Sequence, residues 1–325
     1  MKKILLVSSS SGGHIYPCLT LGEKLKRMGY SITYLGIKGE MEEKIIPNIE
    51  LLDIPKSYRK TVSLSGLKRI YNEKEKISRL IKENDVIICF GGFITSVVAY
   101  FNLLYHKKLL LHEQNVILGD SIKFSYPLCH KLLISFNNEL NKKRKAIYAN
   151  NPTTVKIEKK QFINLKKPRV MFIFGSLSSS TCLEIGKKFI LSTKLDNEFV
   201  IVTGEKFYED FLHIKKENVK IKKFIKMDEA LKNCDLVFTR GGATTLMELL
   251  KANVEIVCIP SNFVKHNHQF KNAKYLKNKG YIDLIEEKNF NTTSIENSII
   301  NLQKKNTFEM DVDPITIFVE AIEND

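Results

Sequence analysis

The sequence predicts an α/β protein made of two units, each a parallel sheet with helices on both faces. Three observations predict it. Continuous apolar runs alternate with amphipathic stretches along the chain, the pattern of strands buried on both sides. The same signature opens both halves, "KKILLVSSSSGG" near the start and "PRVMFIFGSLSSS" from residue 168: a basic residue, a buried strand and a Gly/Ser loop. At 325 residues the chain also exceeds the size at which one core usually stops growing. Two Rossmann-like domains facing each other across a cleft follow from this echo.

Strands are expected at 3–7, 31–35, 86–90, 109–112 and 132–135 in the first half. In the second half they are expected at 169–174, 198–202, 219–222, 236–239 and 255–259. The stretch 86–105, "VIICFGGFITSVVAYFNLLY", has no charge and the length of a membrane span. Gly91 and Gly92 divide it into a strand-like and a helix-like half, so it reads as a buried strand–turn–helix. A helix is expected over 65–83, with Leu67, Ile70, Tyr71, Ile77 and Leu80 at helical spacing. Lys68, Arg69, Lys74, Lys76, Arg79 and Lys82 stand beside them, so this helix suits either an anionic surface or packing on the sheet. The polar, proline-bearing and basic run "NNPTTVKIEKKQFINLKKPR" marks the junction. The expected domains are therefore 1–152 and 153–312, with a short helix at 313–325 returning to pack on the first.

Composition narrows the function. The formal net charge of +15 comes largely from lysines mixed with glutamates, as in "NEKEKISRLIKEN". That dispersal reads as a solvated surface and argues against a nucleic-acid partner. The six cysteines are widely spaced and mostly in apolar runs, which implies buried thiols in a reducing compartment and no zinc site. The basic start is followed by only four apolar residues before the serine loop, too few for a secretory leader. A cytoplasmic protein is expected.

Ligands of open α/β sheets bind at the carboxyl ends of the strands, and every unusual loop here lies at such an end. These loops are 8–14, 91–95, 113–115, 175–180 and 240–245. Two sets of loops, one per domain, imply two substrates. In "TRGGATTLMELL" two glycines lead into a helix near Ala243, whose open N–H groups form an anion site. Thr244 and Glu248 share one face of that helix, where a carboxylate suits a ribose diol; the alternative is a helix start with its own capping threonine. "FGSLSSS" offers Ser176 and neighbouring amides to a diphosphate but lacks the P-loop pattern. The first loop is not G-x-G-x-x-G, which argues against a dinucleotide oxidoreductase. "HEQN" puts four polar side chains at the end of a buried strand, either as a site or as a strand cap. "KHNHQFKNA" has two histidines but no third metal ligand, so it reads as a reader of sugar hydroxyls. "DVD" at 311–313 lies away from any strand end and reads as structural.

Taken together, "SSGGHIYP", "GEMEEKIIP", "GGFITS", "LLHEQN", "NNP", "FGSLS", "FI" at 224–225, "RGGATTLMELL" and "NHQFKNA" occur in the order found in the MurG family. The chain resembles that family over nearly its whole length. "HEQN" is the most specific of these motifs; the Gly-rich loops are shared more widely among two-domain (GT-B) glycosyltransferases. The resemblance implies inverting transfer of N-acetylglucosamine from UDP-GlcNAc to an undecaprenyl-linked N-acetylmuramyl-pentapeptide, in peptidoglycan synthesis, without metal or cofactor. It implies that the N-terminal domain takes the lipid-linked acceptor and the C-terminal domain the donor. By position, Ser11, Gly12, Gly13 and Asn115 reach the donor, Ser176 contacts the diphosphate, and the backbone of Ile225 reads uracil. Ala243, Thr244, Thr245, Leu246, Met247 and Glu248 form the donor helix start, with Glu248 on the ribose, and Gln269 reads the donor sugar.

Two departures stand out: Thr154 replaces an arginine of the family, and "FGSLS" replaces "GGSQG". The attacking hydroxyl needs a base of near-neutral pKa, for which His14 is the candidate and Glu113 the reserve. A lipid acceptor implies a protein peripheral to the anionic inner face of the membrane. The competing readings are a glycosyltransferase acting on another lipid acceptor, a UDP-GlcNAc 2-epimerase, and a non-catalytic basic binding protein.

Overall fold

A computed structural model describes residues 1–57, 63–153, 163–174, 179–261 and 263–324. The chain divides into two compact units, Met1–Thr153 with Met310–Asp325, and Thr154–Glu309. The first holds a seven-stranded sheet in the order β3-β2-β1-β4-β5-β6-β7. Its strands are β1 (Lys3–Val7), β2 (Ser31–Ile37), β3 (Glu50–Leu52), β4 (Val86–Cys89), β5 (Lys108–Glu113), β6 (Lys131–Ile134) and β7 (Ala146–Tyr148). The second holds a six-stranded sheet ordered β10-β9-β8-β11-β12-β13. These are β8 (Val170–Ile173), β9 (Phe199–Val202), β10 (Val219–Lys222), β11 (Leu236–Thr239), β12 (Glu255–Cys258) and β13 (Asp283–Leu284). Every recorded pairing is parallel. The α/β class with two parallel sheets, predicted from the apolar runs, is borne out.

Alternation along the strands explains why both faces are covered. In β1, Leu5 and Val7 enter one core with Ile77, Leu80, Ile94 and Val98 from the helices α4 (Lys74–Glu83) and α5 (Phe93–Asn102). Ile4 and Leu6 enter the opposite core with Ile15, Leu21 and Leu25 of α1 (Gly12–Arg27). Ile315, Phe318 and Ile322 of the C-terminal helix α12 (Pro314–Glu323) complete that second core. Asp313 caps this helix by accepting from the Thr316 N–H, and Pro314 occupies its first turn, where no N–H is needed. Glu323 at its other end accepts from the Tyr30 hydroxyl at 2.8 Å and pairs with Lys2.

The stretch 86–105 is a buried strand, a glycine turn and a helix; among the described residues no helix is long and apolar enough to cross a membrane. The single helix expected over 65–83 is instead two, α3 (Leu64–Asn72) and α4, broken at Glu73 with φ −89° and ψ 0°. The break changes what the apolar stripe does. Ile77 and Leu80 are buried in α4, whereas Leu67 and Tyr71 of α3 are 54% and 63% exposed. All six cysteines are buried free thiols.

Candidate active site

In each unit the strand order reverses once, between β1 and β4 in the first and between β8 and β11 in the second. Strand ends at such a reversal leave a crevice for ligand, and the candidate loops border both reversals.

In the first unit, β1 ends in Ser8 and Ser9, both fully buried. Ser10 then turns the chain with φ +74°, an unusual value for a residue with a Cβ. Ser11 follows in extended geometry as the N-cap of α1 and makes no side-chain cap bond, with Gly12 and Gly13 forming the first turn of the helix. His14 turns back over the loop: its Nδ1 lies 3.1 Å from the Ser9 carbonyl and 3.2 Å from Ser11 Oγ. A carbonyl only accepts, so Nδ1 carries a proton, and in the neutral ring Nε2 is the basic nitrogen. Nε2 rests against Gly91, where a Cβ would come within 2.8 Å. Next along, Gly92 has φ +82° and its Cα abuts Ser9, so a Cβ there would collide with the Ser9 hydroxyl. Gly92 is also the N-cap of α5 and makes no side-chain cap bond. Two uncapped helix starts therefore stand at the ends of two adjacent strands, a concentration of N–H donors and of positive helix-dipole ends.

"HEQN" closes the far side of this reversal. His112 is fully buried between the rings of Phe90 and Phe318, with centroids 5.2 and 5.3 Å away. Its Nδ1 accepts from Gln114 Nε2 at 3.0 Å, so Nε2–H donates to Ser135 Oγ at 3.0 Å. Burial holds its pKa down at about 3, and the ring is neutral. Glu113, 2% exposed, accepts from the Asn115 N–H at 2.9 Å, from Asn115 Nδ2 at 3.0 Å and from the Gly119 N–H at 2.7 Å. Burial raises its pKa to about 6 against these hydrogen bonds, which pull the other way. The side chain of Glu113 thus organises the 115–119 loop and positions Asn115.

In the second unit Ser176 and the departure at Thr154 lie outside the described residues. The loop after β11 is built around Arg240, which pattern reading named only as the start of the 240–245 loop. Arg240 donates to the Ile259 carbonyl at 3.0 Å, to Ser179 Oγ at 2.7 Å and to Glu287 at 2.7 Å. It so joins the ends of β11 and β12 to the N-cap of α7 (Ser180–Ser192). Gly241 and Gly242 lead into α9 (Ala243–Lys251), whose N-cap Gly242 also makes no side-chain cap bond. Thr244 and Glu248 are both buried, one turn apart on the same face; Ala243, Leu246 and Met247 are buried, and Thr245 is half-buried. Gly241 sits on the Gln269 carbonyl so closely that any Cβ would collide with it. Asn272, fully buried, donates to the Gly241 carbonyl at 3.1 Å. This brings α9 and the start of α10 (His268–Asn278) together, with Gln269 Oε1 accepting from the Ser261 N–H at 2.9 Å. His266 and Asn267 precede α10 with φ +57° and +52°. Ile225 is half-buried between β10 and α8 (Met227–Lys232). No group of three or more His, Cys, Asp or Glu residues able to hold a metal occurs among the described residues.

The structure thus gathers Ser11, Gly12, Gly13, His14, Glu113 and Asn115 on the first unit, and Ala243–Glu248 with Gln269 on the second. "HEQN" resolves into four different jobs, of which only Asn115 presents a side chain beyond the buried network of His112, Glu113 and Gln114.

Comparison with known proteins places the fold. Residues 4–134 match the glycosyltransferase family 28 N-terminal domain and residues 170–323 match its C-terminal domain. A curated relative from Lactobacillus acidophilus, named UDP-N-acetylglucosamine--N-acetylmuramyl-(pentapeptide) pyrophosphoryl-undecaprenol N-acetylglucosamine transferase, is 28% identical. The match covers 95% of this chain and 93% of that protein. MurG of Acinetobacter baumannii has a similar structure, with a TM-score of 0.73 and 20% identity over 93% of this chain and 90% of that one. The structure described as a UDP-N-acetylglucosamine 2-epimerase from Listeria monocytogenes shares the fold at TM-score 0.66 and 13% identity, over 99% of this chain and 96% of that one. Matched in order by both domains of the family and along its length by relatives of the MurG type, the chain belongs to glycosyltransferase family 28.

Proposed function

We propose that this protein transfers N-acetylglucosamine from UDP-GlcNAc to the lipid-linked N-acetylmuramyl-pentapeptide, with inversion at the anomeric carbon. The observation that carries the reading is the identity along nearly the whole chain to the Lactobacillus acidophilus transferase. The second unit takes the donor. Glu248 receives the ribose diol, the amides at the start of α9 meet the donor diphosphate together with Ser176, Ile225 addresses uracil, and Gln269 addresses the sugar. As UDP leaves, its diphosphate gains charge, and preorganised amides stabilise that charge without reorganisation. The first unit takes the acceptor. Its own diphosphate suits the paired helix starts of α1 and α5, and the lone pair on His14 Nε2 accepts the proton of the attacking hydroxyl. Ser11, Gly12, Gly13 and Asn115 border the reacting centre; Glu113 holds Asn115 in place.

A lipid acceptor calls for a membrane surface, and we place it on the exposed side of the first unit. Leu67 and Tyr71 of α3 are exposed there, as are Tyr100, Leu103 and Leu104 at the end of α5. Lys74, Arg79 and Lys82, interspersed with Glu75, Ser78 and Glu83, line a shallow depression with Phe101 and Leu104. An apolar patch with basic residues beside it suits an anionic inner leaflet. The test is UDP release in the presence and absence of the lipid acceptor. Release that depends on the acceptor supports the transferase; UDP-GlcNAc turnover to a 2-epimer without acceptor would establish the epimerase instead. Transfer to a different polyprenyl or diacylglycerol acceptor would keep the reaction class and replace the acceptor.

A further inference from the structure

Glu42 lies outside every set of site residues named above, in the five-residue helix α2 (Met41–Ile45) after β2. It is fully buried, an expensive place for a carboxylate unless hydrogen bonds satisfy it. Both of its oxygens are used. One accepts from the Ile37 N–H at 2.9 Å, across the turn that follows β2. The other accepts from the Ser10 N–H at 3.1 Å, 32 residues away in the His14 loop. The backbone is cut away to seat this side chain: a Cβ on Gly36 would lie 2.5 Å from Glu42 Cγ.

The Ser10 N–H and the Ser9 carbonyl belong to one peptide group. Its N–H donates to Glu42, and its carbonyl accepts from His14 Nδ1 at 3.1 Å. A chain of hydrogen bonds therefore runs from a buried carboxylate through a peptide group to an imidazole. Each bond in such a chain polarises the next. The carboxylate draws the N–H outward, the carbonyl oxygen gains charge, and the oxygen holds the proton on Nδ1. A histidine base needs an acceptor at one nitrogen to fix the tautomer and the ring at the other. The same bond holds Ser10 at its positive φ, the conformation that delivers Ser11 and the glycines to the start of α1.

We propose that Glu42 is the positioning residue for His14, orienting the ring and fixing its tautomer through the Ser9–Ser10 peptide. The proposal rests on His14 acting as the base in the transfer reading.

Two variants test it. Glu42→Leu removes both acceptors at similar volume, and Glu42→Gln keeps one acceptor without the charge. Nitrogen NMR of the His14 ring and steady-state GlcNAc transfer are followed together in the full-length protein. Turnover is expected to slow by about 10-fold or more in Glu42→Leu, as misplacing a catalytic group does, and to slow less in Glu42→Gln. Binding of UDP alone is expected to stay within about 2-fold of wild type, because the orienting bond lies in the first unit and the nucleotide is taken by the second. The His14 Nδ1–H resonance shifts or is lost. A wild-type His14 signal with wild-type turnover in a folded Glu42→Leu protein overturns the proposal. Should the variants fail to fold, the hydrogen-bond scalar coupling between the Ser10 nitrogen and the Glu42 carboxyl carbon is measured in wild type, and its absence overturns the proposal. The NMR readouts need no substrate, so a wild type that fails to transfer GlcNAc counts against the transfer reading and leaves the relay tested on its own.

Discussion

Two buried titratable side chains are neighbours at the end of β5, and their pH dependences oppose each other. Glu113 titrates near pH 6 in the fold and near 4.5 ordinarily, so the folded state binds the extra proton between those values. Its contribution is complete below about pH 4.5 and is lost as pH rises through about 6. His112 titrates near 3 against an ordinary 6.5, so the unfolded state binds the extra proton over that range. Its contribution is complete above about pH 6.5 and is lost as pH falls through about 3. In Glu113→Gln the first contribution disappears. Stability measured by urea unfolding, wild type minus variant, is expected to fall by about 2 kcal/mol in all as pH rises from well below 4.5 to well above 6, at about 1.4 kcal/mol per unit of pKa difference. A constant difference would show that the fold leaves the Glu113 pKa where it is in the unfolded chain. Gly92→Ala is expected to cost about 2 kcal/mol or more, because φ +82° and the contact with Ser9 both exclude a Cβ; the denaturation midpoint checks it. Sequence reading singled out His14 because a histidine after a glycine turn is chemically conspicuous. It quoted Glu42 and Arg240 only as parts of longer motifs and gave them no role, because a carboxylate or guanidinium reads as surface until the fold buries it.

At the scale of elements, the break at Glu73 separates two roles that a single helix would have blended. Glu73 accepts from the Asp53 N–H at 3.0 Å, and α3 leaves α4 with Leu67 and Tyr71 exposed while Ile70 packs against the core. Leu67→Ser with Tyr71→Ser is therefore expected to weaken binding to anionic vesicles several-fold while leaving the melting temperature within about 2 °C, since surface changes cost little. Leu80→Ala is expected to do the reverse, losing about 2–5 kcal/mol of stability. Co-sedimentation with vesicles beside thermal melts distinguishes them; equal vesicle binding by the double variant and wild type would remove the proposed membrane face. The helix break was not legible, because both halves keep the same apolar spacing and no proline or glycine marks Glu73. Strand prediction failed in a similarly physical way. The ten strands read from apolar runs all form, whereas β3, β7 and β13 were missed. Each of these is a two- or three-residue edge strand, and an edge strand needs no continuous apolar run because one side of its ladder is open.

At the scale of the molecule, the first unit is completed by the last helix of the chain. Phe318 stacks on Phe90 at 6.1 Å and meets His112 edge-on, so a residue near the C-terminus seals the strand that carries "HEQN". Phe318→Ala is expected to destabilise the first unit by about 3–5 kcal/mol. Hydrogen exchange should rise in β4 and β5 while β11 and β12 stay protected; an equal rise in both sheets would contradict this division of the chain. The α/β class, the parallel sheets and the family were legible because apolar strands and strand-end loops are local signals. Donor and acceptor chemistry was legible only through the order of whole motifs, since one Gly/Ser loop looks much like another. The central claim is tested most directly by transfer of radiolabelled GlcNAc from UDP-GlcNAc to lipid-linked N-acetylmuramyl-pentapeptide, with wild type, His14→Ala and Glu248→Ala in parallel. Wild type is expected to yield a labelled lipid-linked disaccharide. His14→Ala is expected to turn over about 100-fold more slowly or worse, the scale of a lost general base, and Glu248→Ala to show a raised KM for UDP-GlcNAc. No transfer by wild type, or full activity in both variants, would contradict it.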